Sequence, residues 1–203
     1  MTRLARFHLA ALVSLFLGVP AAEARADWLL TPFFGTTFGA ETTLIDLGGG
    51  ADVRHWTFGI TGALLTDQIF GVEADLAWVP GFFEGEDQQD LVRESRVTTL
   101  FGNVIVAVPL TVTRESIRPY VIGGLGLVHL SRNDPVPLDD GGNSSLGLQL
   151  GGGALAFVND RTGVRLDLRQ IRTVGRARNE LTGEPGTRLS FWRASVGVSV
   201  VLR

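Results

Sequence analysis

The 203-residue chain is 45% hydrophobic and 19% charged, with 26 glycines and no cysteine. The missing thiols exclude disulfides, thiolate metal sites, cysteine nucleophiles and an N-terminal lipid-modified cysteine, and no apolar run reaches the ~20 residues of a membrane-spanning helix. Its 18 cations, all arginine, against 21 acids leave a net charge of −3 and no basic footprint for nucleic acid.

Residues 1–26 predict a secretory signal peptide. Arg3 and Arg6 form a positive n-region, residues 7–19 an apolar h-region, and Ala24-Arg25-Ala26 an A-x-A cleavage pattern. Cleavage after Ala26 removes three arginines and one glutamate, taking the formal charge from −3 to −5. The mature domain, 27–203, is therefore expected to reach the periplasm, the medium or the outer membrane.

From there the pattern has period two, the mark of strands. Eight segments carry it: 28–38, 54–64, 69–79, 97–108, 119–130, 147–158, 163–173 and 190–201. Each is longer than the usual five or six residues of a globular strand and matches the ~9–11 of a tilted strand crossing a bilayer. The connections alternate long (39–53, 80–96, 131–146, 174–189) and short (65–68, 109–118, 159–162). Outer-membrane barrels have an even strand number, short periplasmic turns and longer outer loops. Turn formers and charges gather in the long connections, at 48–50, 84–87, 139–143 and 183–186.

The strands have one greasy face. Phe70, Val72, Ala74, Leu76 and Trp78 oppose Glu73 and Asp75; Val164, Leu166 and Leu168 oppose Arg165, Asp167 and Arg169. Residues 192–202 set Trp192, Ala194 and Val196 against Arg193 and Ser195. A soluble barrel points such an apolar face inward, a membrane barrel outward, and alternation alone does not separate the two. The aromatic residues favour the membrane: Trp56, Trp78 and Trp192 fall near the outer strand ends, Trp28 and Tyr120 near the inner ends, as two interfacial girdles would. The polar face then lines a narrow lumen. In an eight-strand ring the third and seventh strands lie opposite, so Glu73 and Asp75 are expected to meet Arg165 and Arg169 there. Asp167, Asn103, Gln149 and Arg193 should join the same network. An electrostatic plug is the leading reading of this set, and a regulated path for ions or small solutes the alternative.

Three stretches carry a family resemblance: WLLTPFFGTTFG at 28–39, FGVEADLAWVPGFF at 70–83 and RPYVIGGLGLVHL at 118–130. They resemble the outer-membrane protein β-barrel family, the small OmpA- and OmpX-like eight-stranded barrels. The resemblance spans 27–203 and rests on strand grammar more than on a signature. It implies an outer-membrane location, a monomeric barrel embedded in outer-membrane lipid, and assembly by periplasmic chaperones and the barrel-insertion machinery. Family functions range from envelope tethering to adhesion. Family members often end in an aromatic residue that the insertion machinery reads, whereas this chain ends Val200-Val201-Leu202-Arg203. No peptidoglycan-binding domain is expected after the barrel, so tethering is not.

Other motifs carry little chemistry. His129 and Ser131 share one strand face and resemble the His-x-Ser of outer-membrane lipid A deacylases, but Arg132 precedes Asn133 where that family continues with Asn directly. Rim residues of the fifth strand are the plainer reading. The glycines at 123–126 and 151–153 lack the lysine and strand-to-helix context of phosphate loops, and fit curvature or close packing instead. The acidic stretches at 84–94 and 139–143 read as solvated loops without EF-hand spacing.

The sequence thus predicts an all-β protein, an eight-stranded antiparallel up-and-down transmembrane β-barrel with both termini periplasmic. It is expected to be a monomer without enzymatic activity, cofactor, metal or nucleic-acid partner, in a structural or surface-interaction role. The alternatives are a narrow porin-like pore, a lipid A-modifying hydrolase and a soluble lipocalin-like binder.

Overall fold

A computed structural model describes residues 26–42, 54–66, 68–81, 95–113, 117–132, 143–174 and 189–202. The period-two segments form eight strands: β1 (Ala26–Thr42), β2 (His55–Thr66), β3 (Phe70–Pro80), β4 (Ser95–Ala107), β5 (Ile117–Arg132), β6 (Asn143–Asn159), β7 (Thr162–Thr173) and β8 (Leu189–Leu202). One helical turn, α1 (Leu110–Thr113), lies between β4 and β5. Each strand pairs antiparallel with the next, and β8 closes on β1. Closure removes the free edges that an open sheet would present. Among the described residues no helix is long and apolar enough to cross a membrane. The expected signal peptide, save Ala26, lies outside the described residues, as do the stretches at 48–50, 84–94, 139–142 and 183–186.

The strands run past the ends that apolar alternation suggests. Ladder pairing needs only backbone, so polar residues extend it: Glu41 and Thr42 pair with Ser190 and Leu189, and Ser144 pairs with His129. A bulge between Phe38 and Glu41 bends β1, and Gly39 there takes a φ of 61° that L side chains rarely adopt. The β6–β7 turn is closed by Asn159, whose Oδ1 accepts from the backbone N–H of Arg161 (2.9 Å) and Thr162 (2.8 Å).

The faces are inverted relative to a soluble barrel. On β3, Phe70, Val72, Ala74, Leu76 and Trp78 are exposed, and Glu73, Asp75, Ala77 and Val79 are buried. Leu100 is 51% exposed while Asp75 is 0%. A lipocalin-like binder would line its interior with the apolar face, so that alternative is excluded.

The interior is layered. At the end bearing the chain termini, Leu29, Leu65, Ile105, Ile122, Leu155 and Val201 form one buried apolar cluster. At the opposite end, Val79, Val97, Phe101, Val128, Ile171 and Phe191 form another. Charged and polar side chains occupy the positions between them on β3, β4, β7 and β8. Glycines make room for large neighbours: a Cβ on Gly147 would lie 2.9 Å from Phe101 Cζ. The aromatic ring covers the glycine of a neighbouring part of the wall, a known device of curved sheets.

Candidate functional site

The middle layer is built by strand parity. Odd-numbered residues point inward on β3, β4, β6, β7 and β8, which turns Glu73, Asp75, Asn103, Gln149, Arg165, Asp167, Arg169 and Arg193 into the lumen, all but Asp167 buried. Arg169 spans it: Nη1 lies 2.8 Å from Glu73 Oε1 and 2.9 Å from Asp75 Oδ2, and Nη2 lies 2.8 Å from Asp167 Oδ1. Arg165 reaches Glu73 through Nη2 at 2.5 Å and Asp167 through Nε at 2.9 Å. Arg193 Nη2 completes the set at 2.6 Å from Asp75 Oδ2, and Asn103 Nδ2 donates to Glu73 Oε1 at 3.0 Å. Three guanidinium groups face three carboxylates, so the layer is neutral in sum. Buried ions persist only when paired and hydrogen-bonded in this way.

Gln149 stands apart from that network. It is fully buried, yet neither amide atom has a hydrogen-bond partner among the described residues. Its neighbours across the ladder are Gly124 and Ile171, which offer no polar side-chain atom. Asn103 Oδ1, on the far side of Gly124, is likewise without a partner among the described residues.

Tyr120 is a correction to the aromatic girdle. It points into the lumen at 8% exposure. Its hydroxyl donates to Asp167 Oδ1 at 2.6 Å and accepts from Arg165 Nε at 2.6 Å. The Arg165 guanidinium also lies 4.8 Å from the ring centroid. Position along the strand suggests an interface residue; parity decides otherwise, because inward residues on β5 are even-numbered there, as at Arg118 and Ile122. Trp28, Trp56, Trp78 and Trp192 do stand on the outer face, Trp28 at the end with the termini and the other three toward the opposite end.

Two further lumen groups are not evident from the sequence. Arg118, 3% exposed, donates through Nη2 to the carbonyls of Thr66 and Gln68 (both 2.6 Å) and through Nε to Val108 O (3.1 Å). It ties the β2–β3 turn to the segment after β4. Thr31 Oγ1 and Ser199 Oγ lie 2.7 Å apart across β1 and β8. Only register brings such pairs together.

His129 lies on the outer face, with Nδ1 2.9 Å from Ser144 Oγ on β6. Its hydroxyl partner is thus this cross-strand serine; Ser131 lies two residues along β5. The acids at 134, 139 and 140 lie outside the described residues.

A family model described as outer membrane protein beta-barrel domain matches residues 9–201. Among solved structures, the chain is similar to Neisserial surface protein A, with a TM-score of 0.62 at 14% identity over 87% of this chain and 99% of that one. It is also similar to the outer membrane protein OprG of Pseudomonas aeruginosa (TM-score 0.52, 16% identity, 89% and 97% covered). The outer membrane protein AlkL in lipid bilayers gives a TM-score of 0.53 at 15% identity, with 89% and 92% covered. At these identities the likeness is one of fold. No curated protein sequence is significantly similar to the chain.

Proposed function

The chain belongs to the outer membrane protein β-barrel family, and on that premise we propose that it is a closed, non-conducting, non-enzymatic barrel. It serves envelope structure or surface contact through its outer loops. Export uses residues 1–26 as a signal peptide, after which both termini face the periplasm. The barrel is monomeric, and periplasmic chaperones and the insertion machinery deliver it to outer-membrane lipid. Trp56, Trp78 and Trp192 anchor one membrane interface and Trp28 the other.

The observation that carries the closed reading is the layering of the lumen. A neutral, ion-paired belt lies between two apolar clusters. Eight strands leave an interior just wide enough for side chains to fill. Mobile ions would have to displace both clusters and the pairs between them. Planar-bilayer recording of the refolded chain tests this: a silent membrane is expected, and discrete conductance steps would refute it. Heat-dependent gel mobility, checked on the same sample, establishes that the barrel is folded.

The second reading, a narrow pore for ions or small solutes, is favoured by one feature. The Gln149 amide and Asn103 Oδ1 are buried polar groups without partners among the described residues, and such groups are commonly met by buried water. A water file along that wall would be the beginning of a path.

A further inference from the structure

The outer surface is not evenly ridged. On one side a single ladder row runs Leu76, Leu100, Leu127, Leu146, all large and all exposed. Across the barrel, the corresponding outward row reads Trp56, Thr36, Ala194, Leu168, Gly152, and the next one ends in Ala154. The ridge is missing there, and the wall is concave. The depression has a volume of 720 Å³ and is lined by Phe34, Trp56, Leu166 and Leu168, with the small residues Ala194 and Gly152 among them. That lies within the ~300–1,000 Å³ of small-molecule sites.

Arg54 closes the groove at the end away from the chain termini. It is exposed and is the one cation among the described residues that line the depression. Asp167 contributes to the wall as well, but its carboxylate is turned inward to Arg165, Arg169 and Tyr120. An apolar furrow with a cation at one end, on a face that meets the membrane, is complementary to a hydrocarbon chain ending in an anionic headgroup. We propose that this groove holds an acyl chain of a phosphate-bearing membrane lipid, whose headgroup is bound by Arg54. The inference rests on the membrane reading and adds to it a specific, retained lipid.

Trp56 lines the groove and Trp28 stands at the other end of the barrel, so fluorescence reports both places. Two versions of the mature chain each keep one tryptophan, the first through Trp28→Phe, Trp78→Phe and Trp192→Phe, the second through Trp56→Phe in place of Trp28→Phe. Each is refolded into phosphatidylcholine vesicles containing a small fraction of phosphatidylglycerol or phosphatidylcholine with brominated acyl chains. Trp56 should be quenched by the brominated phosphatidylglycerol at about fivefold lower mole fraction than by the brominated phosphatidylcholine. Trp28 should show no preference. Arg54→Gln should abolish the selectivity at Trp56, and Ala194→Phe, which puts a large side chain into the lining, should weaken quenching by both lipids. Equal quenching by the two lipids at Trp56 overturns the proposal, as does a preference that survives Arg54→Gln. Shielding of Trp56 from both lipids would mean that a second barrel covers the wall, which also overturns it. A folded barrel inserted in the vesicles without selectivity loses this inference alone. A chain that folds but stays out of the vesicles takes the membrane reading down with it.

Discussion

Tyr120 and Asp167 are joined across Gly153. The three residues form one row of the wall on β5, β6 and β7, and the phenol passes over the glycine to donate a 2.6 Å hydrogen bond to the carboxylate. With Arg165 Nε bound to the same hydroxyl, Tyr120 links a cation and an anion of the lumen belt. The glycine is what allows the reach, since a Cβ there would run into the phenol.

Removing that hydroxyl should therefore cost stability. Hydrogen bonds to charged groups contribute about 1.5–3 kcal/mol each, and Tyr120→Phe leaves both Asp167 and Arg165 one partner short. We predict a loss of about 2 kcal/mol in urea unfolding of the vesicle-inserted barrel. A girdle residue would behave differently, because its hydroxyl would exchange one wet partner for another. An unchanged midpoint would return Tyr120 to the interface.

Phe101 and Gly147 offer a cleaner test of packing. The three atoms nearest the missing Cβ of Gly147 belong to side chains, Phe101 Cζ at 2.9 Å and Val128 Cγ2 at 3.1 Å among them. Gly147→Ala should overpack the apolar layer at a cost of about 1–3 kcal/mol. In a Phe101→Leu background the same substitution should cost clearly less, since the ring that it meets is gone and the Val128 contact is the one that remains. Additive effects in the double variant would show that the two sites are not in contact.

Much of this architecture is legible in the order of residues. Period two locates all eight strands, and counting round the ring places Glu73 and Asp75 opposite Arg165 and Arg169. What the sequence withholds depends on register. Nothing in the order of residues says that Ser144 rather than Ser131 meets His129, or that Gly124 separates Asn103 from Gln149. Tyr120 is different, for its parity with Arg118 and Ile122 is a property of the sequence and is enough to turn it inward. The excess of glycine finds its reason only in three dimensions, where the rings of Phe101 and Tyr120 lie over Gly147 and Gly153.

Asp75 is the acid of the belt that holds Arg193. Its Oδ2 accepts from both Arg169 and Arg193, and among the described residues Arg193 has no other ion pair. Asp75→Asn should destabilise the barrel by about 3–5 kcal/mol, the usual effect of stranding a buried charge. Arg193→Gln in the same chain should recover a large part of the loss, because the stranded cation is removed with it. Unfolding midpoints of the two single variants and the double one measure this coupling, and strict additivity would mean that the pair is not a unit.

The inverted faces make a prediction that a soluble barrel does not share. Leu100 lies near the middle of β4 on the outer face, 51% exposed, and Arg96 lies on the same face near the end of that strand. If lipid surrounds the barrel, Leu100→Arg puts a charge near the bilayer midplane, where it costs about 2–4 kcal/mol, while positions near the interface cost about 0–1 kcal/mol. Arg96→Leu should accordingly leave stability in phosphatidylcholine vesicles within about 1 kcal/mol of the parent. Leu100→Arg should lower it well beyond that and slow insertion. In water, an arginine at an exposed strand position would be tolerated, so a neutral Leu100→Arg variant would contradict a lipid-facing wall.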